Sequence, residues 1–229
     1  MIPFYGFDSS IFILIPALLL SMYAQNKVKS TYDLYSRVPN RNGYTGSDVA
    51  RLILDRAGLH DVPIEQVAGT LTDHYDPRSK KLRLSQGVYG SNSIAALGIA
   101  AHEVGHAIQD QTNYAPMRIR GAIVPLASVG GNFGFMLFIL GMFLAAPSLQ
   151  TIGIILFSAT VIFQLVTLPV EFNASNRAMA VLEGYGILQN DELGKDKQVL
   201  NAAALTYIAA ALAGIANLAR LLILRNRRR

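Results

Sequence analysis

Between Arg120 and Glu171 the sequence reads GAIVPLASVGGNFGFMLFILGMFLAAPSLQTIGIILFSATVIFQLVTLPV, residues 121–170, without a single Asp, Glu, Lys or Arg. A helix needs roughly 20 predominantly apolar residues to cross a bilayer, so this stretch is long enough for two crossings. The uncharged tetrapeptide AAPS at residues 145–148 favours a tight turn between them. The stretch therefore predicts an integral membrane protein with a pair of transmembrane helices.

The composition of the whole chain agrees with this fold class. Of the 229 residues, 52% are hydrophobic and only 15% are charged, whereas soluble domains carry about 25% charged residues. Residues 24–118, in contrast, have an ordinary mixture of charges. This uneven split excludes a single soluble fold and a disordered chain. Cysteine is absent, which excludes a disulfide-stapled scaffold, thiolate metal ligands and a cysteine nucleophile.

Two further apolar segments lie near the two ends of the chain. Residues 4–24 predict a retained N-terminal anchor, because no Lys or Arg precedes them as in a signal peptide. Residues 200–224 are alanine-rich and interrupted by Arg220, and they predict either a fourth span or a helix at the membrane surface. The net charge of +5 owes much to RNRRR at residues 225–229. Directly after an apolar run such a cluster typically contacts lipid headgroups, so we expect a lipid bilayer and no nucleic acid as a partner.

The mixed-charge region predicts a small α+β domain. The turn-rich hexapeptide DPRSKK at residues 76–81 lies between short segments of alternating apolar residues. It predicts a hairpin whose second strand covers residues 82–84. The helix that follows is expected to begin at a capping serine, either Ser91 or Ser93, and to run through at least Gln109.

This helix carries the sequence HEVGH, residues 102–106, which is an HExxH motif. Positions i and i+4 share one helix face, so the imidazoles of His102 and His106 can hold one metal ion. Neutral imidazole suits Zn²⁺, which keeps one position open for water in catalytic sites. Glu103 lies close enough to take a proton from that water. The motif predicts one catalytic Zn²⁺ per chain with Glu103 as the general base.

Two histidines are too few for such a site, so a third ligand must come from elsewhere. His60 follows a helix end and favours a solvated cap, whereas His74 in the hairpin stays open as a ligand. Glu171 comes directly after an apolar span, where an unpaired carboxylate is costly and often functional. Its alternative is an ordinary interfacial glutamate. Asp110 lies two turns beyond His102 and is expected to be solvated.

Four strings of the sequence carry a family resemblance: TDHYDPRSKKLRLS, AAHEVGHAIQ, LPVEFNASNRA and VLNAAALTYIAAA. Over nearly the whole chain they resemble the bacterial membrane-bound neutral zinc metallopeptidases of the YugP-like family. More distantly, an HExxH helix followed by two spans and a second glutamate motif is similar to the HtpX heat-shock protease and the CAAX prenyl proteases. The resemblance implies a small zincin-like (gluzincin) peptidase domain, with Glu171 as the third zinc ligand.

The sequence departs from the HtpX pattern at one position. The acidic residue expected four positions after the zinc-binding glutamate is Ser175 here. An acidic residue would hydrogen-bond a histidine ligand and fix its tautomer. Ser175 can accept a hydrogen bond but brings no charge, so Asp73 and Asp76 are candidates to supply it.

The predicted reaction is endoproteolysis by a zinc-activated water. Glu103 takes the proton from the water and passes it to the leaving amine. The developing oxyanion needs a donor or a positive group, for which the candidates are His74, then Arg177, then Tyr207. By analogy with other zinc peptidases, the strand at residues 82–84 is expected to be the edge to which an extended peptide or membrane-protein substrate binds.

Two alternative functions stay open. In an intramembrane site-2-type protease the HExxH motif lies within a span, but here only residues 94–101 are apolar before the motif, which is too short. The other alternative is a non-catalytic zinc-binding membrane protein. The intact Glu103 argues against it, because a purely structural zinc site needs no base at that position.

The predicted fold class is a mainly α membrane protein with three or four apolar helices plus the small peptidase domain. Lys27 and Lys29 follow the first span and Arg118 precedes the second, which predicts a multi-pass protein of the cell membrane with its catalytic site facing the cytoplasm. The predicted domains begin with an anchor, residues 1–24, and a soluble peptidase part with the HExxH helix, residues 25–118. A transmembrane helix pair follows at residues 119–170. The last two are a helix with the third zinc ligand, residues 171–198, and an apolar helix with a basic tail, residues 199–229.

Overall fold

The structure is a computed structural model that describes residues 9–226 of the chain, with side chains from Ser10 onward. Within these residues it contains eight α-helices and three strands: α1 Leu14–Tyr35, α2 Gly46–Arg56, β1 Ile64–Val67, β2 His74–Asp76, β3 Lys81–Ser85, α3 Gln86–Tyr89, α4 Ile94–Gln111, α5 Ala115–Val129, α6 Phe135–Phe143, α7 Pro147–Gly184 and α8 Asn190–Asn226. A 3-10 turn, Ser9–Ile13, precedes α1, and a π-helical turn, Gly130–Gly134, joins α5 to α6. The predicted mainly helical class is confirmed.

Four helical segments are long and apolar enough to cross a membrane, as the predicted membrane class requires. They are Ser10–Tyr35, Ala115–Phe143, Pro147–Gly184 and Asn190–Asn226. The last of them is the segment whose spanning the sequence left open, and it satisfies the requirement of length and apolar composition. Part of the predicted anchor, residues 1–8, and residues 227–229 of the basic tail lie outside the described residues.

Helix α7 is a single helix of 38 residues that passes through Glu171 without a break. The sequence predicted a boundary at residue 171, because the composition changes there from uncharged to polar. Pro169 lies inside the helix and lacks a backbone N–H, yet the helix continues beyond it to Gly184. The change in composition therefore does not mark the end of the helix. It lies close to residue 168, where the helix passes from one compact unit of the chain to the other.

The chain divides into two compact units. Of the described residues, the first unit contains residues 9–24, Ile119–Thr167 and residues 206–226, and the second contains Gln25–Arg118 and Leu168–Leu205. The HExxH helix and Glu171 both belong to the second unit. This unit is therefore assembled from two separate parts of the sequence.

The first unit packs through close approach of helix backbones. A Cβ atom added to Gly134 would lie 2.7 Å from the backbone nitrogen of Phe157, and one added to Gly153 would lie 2.6 Å from the carbonyl oxygen of Gly134. Small residues that let backbones approach are typical of helix pairs in membranes. Phe138 and Ile154 are buried together in a hydrophobic cluster of the same unit.

The second unit contains the three-stranded sheet, in the order β1-β3-β2. β2 pairs antiparallel with β3, which confirms the predicted hairpin, and β1 pairs parallel with β3. The strand predicted at residues 82–84 lies within β3. The prediction that it is the substrate-binding edge is wrong, because β3 is the central strand and is paired on both sides. The edges of the sheet are β1 and β2.

Helix α4 begins where the sequence predicted. Ser93 is its N-cap, and the hydroxyl of Ser93 accepts a hydrogen bond from the backbone N–H of Ala96. Leu97 and Val104 of this helix are fully buried in the core of the second unit. Within residues 9–226, α4 is not among the helices that are long and apolar enough to cross a membrane. The HExxH motif thus lies on a core helix.

Candidate metal centre

Three side chains converge at the second half of α4. His102 and His106 lie one turn apart, with their ring centroids separated by 4.8 Å. Oε2 of Glu171, on α7, lies 3.2 Å from Nε2 of His102 and 3.5 Å from Nε2 of His106. One ligand atom from each residue lies within 4.8 Å of the others, an arrangement that could hold one metal ion.

The donor set fits zinc. Two imidazole nitrogens and one carboxylate oxygen are the ligands of one common class of catalytic zinc site, in which a fourth position stays open. Glu171 and His106 are both buried. A cation bound between this buried carboxylate and the two imidazole nitrogens would be stabilised by all three groups.

Each histidine is supported on the side away from Glu171. Nδ1 of His102 lies 3.1 Å from the hydroxyl oxygen of Ser175, and Nδ1 of His106 lies 3.0 Å from Oε1 of Gln109. A hydrogen bond at Nδ1 orients the ring and leaves Nε2 for a metal. Ser175 thus contacts a histidine of the cluster from the position where the acidic residue was expected.

The two aspartates considered as substitutes for this acidic residue have other partners. The carboxylate of Asp73 accepts hydrogen bonds from the backbone N–H and the hydroxyl of Ser85, at 2.7 and 3.0 Å. Burial raises the pKa of Asp73, against the lowering effect of these hydrogen bonds. Asp76 accepts hydrogen bonds from Ser79 and from Arg83. The structure therefore gives them roles within the hairpin region.

Glu103 is held by the edge strand of the sheet. Its Oε2 accepts a hydrogen bond of 3.1 Å from the backbone N–H of Tyr75 on β2. Burial is the main cause that raises the pKa of the Glu103 carboxyl. The Tyr75 hydroxyl in turn donates a 2.8 Å hydrogen bond to Asp110, which also pairs with Lys80. The expectation that Asp110 is merely solvated is wrong, since it ties β2 and its turn to α4.

The structure places the other predicted residues outside this cluster. His74 is exposed on β2, with Nδ1 2.8 Å from the carbonyl oxygen of Thr72 and Nε2 3.4 Å from Nη1 of Arg83. Arg177 donates from Nε to Oδ1 of Asn173 at 2.8 Å. Two further candidates lie elsewhere: His60 beside Asp55, and Tyr207 on α8 in the first unit. The catalytic roles of His74 and Arg177 stay predictions.

Sequence reasoning missed Tyr75 and Gln109. Tyr75 acts through its backbone N–H, which every residue except proline has, so no residue type could have indicated it. Gln109 is a polar residue at position i+3 from His106, on the helix face that also carries His102. That spacing was a usable signal, because residues three apart on a helix are neighbours.

Close backbone contact brings Glu171 to the histidines. A Cβ atom added to Gly105 would lie 2.8 Å from the carbonyl oxygen and 3.2 Å from Cα of Ala174 on α7. Both are backbone atoms, so α7 would have to move to accommodate the extra carbon. The glycine of the HExxH motif is therefore needed for the approach of the two helices.

We expect Gly105→Ala to weaken zinc binding by about 10-fold or more, as other losses of support around a metal do. The cause is the displacement of Glu171 by a few tenths of an ångström. The matched control is Gly194→Ala on α8, where an added Cβ meets nothing within 4 Å, and where alanine stabilises the helix by up to about 1 kcal/mol. Competition with a coloured chelator measures the zinc Kd. Equal zinc affinity in the two variants would contradict the prediction.

The structure thus combines four helices that are long and apolar enough to cross a membrane with a candidate metal centre, and comparison with known proteins agrees. The profile of the family described as "Putative neutral zinc metallopeptidase" matches residues 10–226. The protein called "Putative membrane protease YugP" of Bacillus subtilis (strain 168) is 50% identical over 214 residues, which cover 93% of this chain and 95% of that protein. No solved structure matches the chain. The chain therefore belongs to this family of zinc metallopeptidases, which confirms the resemblance found in the four strings.

Proposed function

We propose that the protein is a membrane-anchored, zinc-dependent endopeptidase, in which His102, His106 and Glu171 hold the zinc ion and Glu103 is the general base. The observation that carries the proposal is the convergence of the three ligand atoms within 4.8 Å of one another, beside a carboxylate held by a backbone N–H. Membership of the zinc metallopeptidase family supports the class of reaction.

The residues of the chain divide the chemistry between them. When bound, zinc lowers the pKa of a water molecule towards neutrality and polarises the substrate carbonyl. Glu103 accepts the proton of the attacking water and passes it to the leaving amine. The hydrogen bond from Tyr75 orients the Glu103 carboxylate for this transfer. His74 and Arg177 are the candidates for stabilising the oxyanion, and a lower kcat with unchanged zinc content in either alanine variant would identify it.

The zincin-like (gluzincin) arrangement is part of the proposal. It is supported by an HExxH helix in the core, a third ligand from a second helix, and an edge strand that contacts the general base. In this arrangement β2 and not β3 is the edge available to an extended peptide, which would bind by main-chain hydrogen bonds. The substrate class is accordingly a peptide segment in extended form, from a soluble or a membrane protein.

The order of the segments supports a common side of the membrane for both parts of the site, and the positive charges support the cytoplasmic side. If each of the four apolar segments crosses the bilayer once, two crossings separate Gln25–Arg118 from Leu168–Leu205. Both parts of the second unit then lie on the same side, as a site built from both requires. Lys27 and Lys29 favour the cytoplasmic side. Reporter fusions after Ser30 and Pro147 test this topology, and an external signal at Ser30 would contradict it.

Removal of the metal tests the proposed function directly. We expect the purified protein in detergent to cleave an unfolded soluble protein, to lose this activity with a zinc chelator, and to regain it with one equivalent of Zn²⁺ per chain. The same chelator already saturated with Zn²⁺ is the control and should have no effect. Full activity in metal-free protein would refute the proposal. Cleavage of a soluble substrate would also argue against the intramembrane alternative.

A further inference from the structure

Gln109 is a fully buried polar residue on α4, to which the proposed reaction gives no role. Its Oε1 lies 3.0 Å from Nδ1 of His106. Its Nε2 donates to the carbonyl oxygen of Val170 at 2.8 Å and to Oδ1 of Asn173 at 3.0 Å. Both N–H groups of the amide and its oxygen thus have partners. Since an unpaired buried amide is costly, this matching makes the position specific for glutamine.

The direction of these hydrogen bonds follows from Arg177. The guanidinium group of Arg177 can only donate, and its Nε lies 2.8 Å from the Asn173 side-chain oxygen. The atom of Asn173 that faces both Arg177 and Gln109 must therefore be the acceptor Oδ1. Gln109 must then present its NH₂ group to Asn173 and to the carbonyl of Val170. Its oxygen is left for His106.

A carbonyl oxygen can only accept, so His106 must carry its proton on Nδ1. In the neutral imidazole, which is the form that binds a metal, the lone pair is then on Nε2, and this atom lies 3.5 Å from Oε2 of Glu171. We infer that Gln109 is a positioning residue that fixes this tautomer of His106 for metal binding, with Asn173 and Arg177 fixing Gln109 in turn. The inference rests on the proposed function, because it presumes that the cluster binds zinc. The use of Arg177 Nε leaves the predicted oxyanion role to the other nitrogen atoms of this residue.

His102 has a different kind of support. Its Nδ1 faces the hydroxyl of Ser175, which can donate as well as accept and so does not select a tautomer. The two histidines therefore depend unequally on their neighbours. We expect loss of the Gln109 amide to weaken zinc binding more than loss of the Ser175 hydroxyl.

The first test compares Gln109→Leu with Gln111→Leu. Gln111 lies on the same helix, but its amide donates to the carbonyl of Ala57 at an exposed position. We expect Gln109→Leu to raise the zinc Kd by about 10- to 100-fold, the usual range for a residue that supports a metal ligand. Gln111→Leu should bind zinc as wild type does. The probe is Zn²⁺ alone, measured by chelator competition on the full chain in detergent.

The second test uses Asn173 and distinguishes positioning from general packing. Asn173→Asp keeps an acceptor for both Gln109 and Arg177, so zinc affinity should stay close to that of wild type. Asn173→Leu removes this acceptor and leaves only the carbonyl oxygen of Val170 to orient the Gln109 amide, so the zinc Kd should rise. If both variants bind zinc equally well, the inference is overturned. This pair also decides the question if Gln109→Leu does not fold.

A spectroscopic signal reports on the tautomer itself. The chain has only 4 histidines, so ¹⁵N-labelled imidazoles can be assigned individually. In zinc-loaded wild type we expect the Nδ1–H proton of His106 to exchange slowly with water, and in Gln109→Leu to exchange faster. Equal exchange in both proteins would overturn the inference. Failure of the wild type to bind zinc, or undiminished binding by His102→Ala, would refute the proposed function instead.

Discussion

Replacement of Glu103 by glutamine is expected to lower kcat by about 10³-fold, within the usual range for loss of a general base, while zinc binding stays intact. Glutamine has the same shape, and its amide oxygen can still accept the hydrogen bond from Tyr75 N–H. It cannot accept a proton from water at neutral pH. The measurement is kcat on an unfolded protein substrate at saturating zinc, together with the zinc content of the purified variant.

Glu183→Gln is the matched control for this variant. Glu183 lies on α7 and is exposed, so the same change of charge is made away from the metal centre. Wild-type kcat is expected there. A fully active Glu103→Gln protein would show that Glu103 is not the general base and that another group accepts the proton.

The second large effect is expected from Glu171→Ala. This change removes one of the three proposed ligands. Zinc affinity should therefore fall by more than about 100-fold, which is the largest effect usual for residues that only support a ligand. Zinc should also no longer raise the unfolding temperature, because a ligand stabilises the folded state only if it binds there. Equilibrium dialysis gives the zinc content and thermal unfolding with added Zn²⁺ gives the stabilisation.

His74→Ala is the comparison that decides the third ligand. His74 was the other sequence candidate, and its ring contacts the carbonyl oxygen of Thr72, which precedes β2, and Arg83 on β3. The His74→Ala variant should keep one equivalent of zinc per chain. If His74→Ala lost zinc while Glu171→Ala kept a full equivalent, the third ligand would be misassigned.

Local features of this protein could be predicted from sequence because their cause is local. Helix periodicity alone puts His102 and His106 on one face, and the capping preference of serine set the start of α4 at one of two positions, of which Ser93 is the one used. The hairpin between β2 and β3 followed from its turn residues.

Features that depend on distant residues could not be predicted in the same way. The position of Glu171 directly after an apolar span made it one of several candidate ligands. Only the family resemblance selected it as the residue that meets the two histidines, which lie more than sixty positions earlier. The parallel pairing of β1 with β3 likewise has no turn to signal it. The consequence was an error: a strand flanked on both sides was predicted to be an edge.

The second unit is interrupted in sequence by the residues between Arg118 and Leu168, which are all in the first unit. A soluble peptidase therefore cannot be obtained by trimming the ends of this chain. A fragment ending at Arg118 would keep both motif histidines but lose Glu171. It would also expose Gly105, which lies against the backbone of Ala174 on α7. Engineering a water-soluble form would require excision of the intervening residues and a linker that rejoins the two parts.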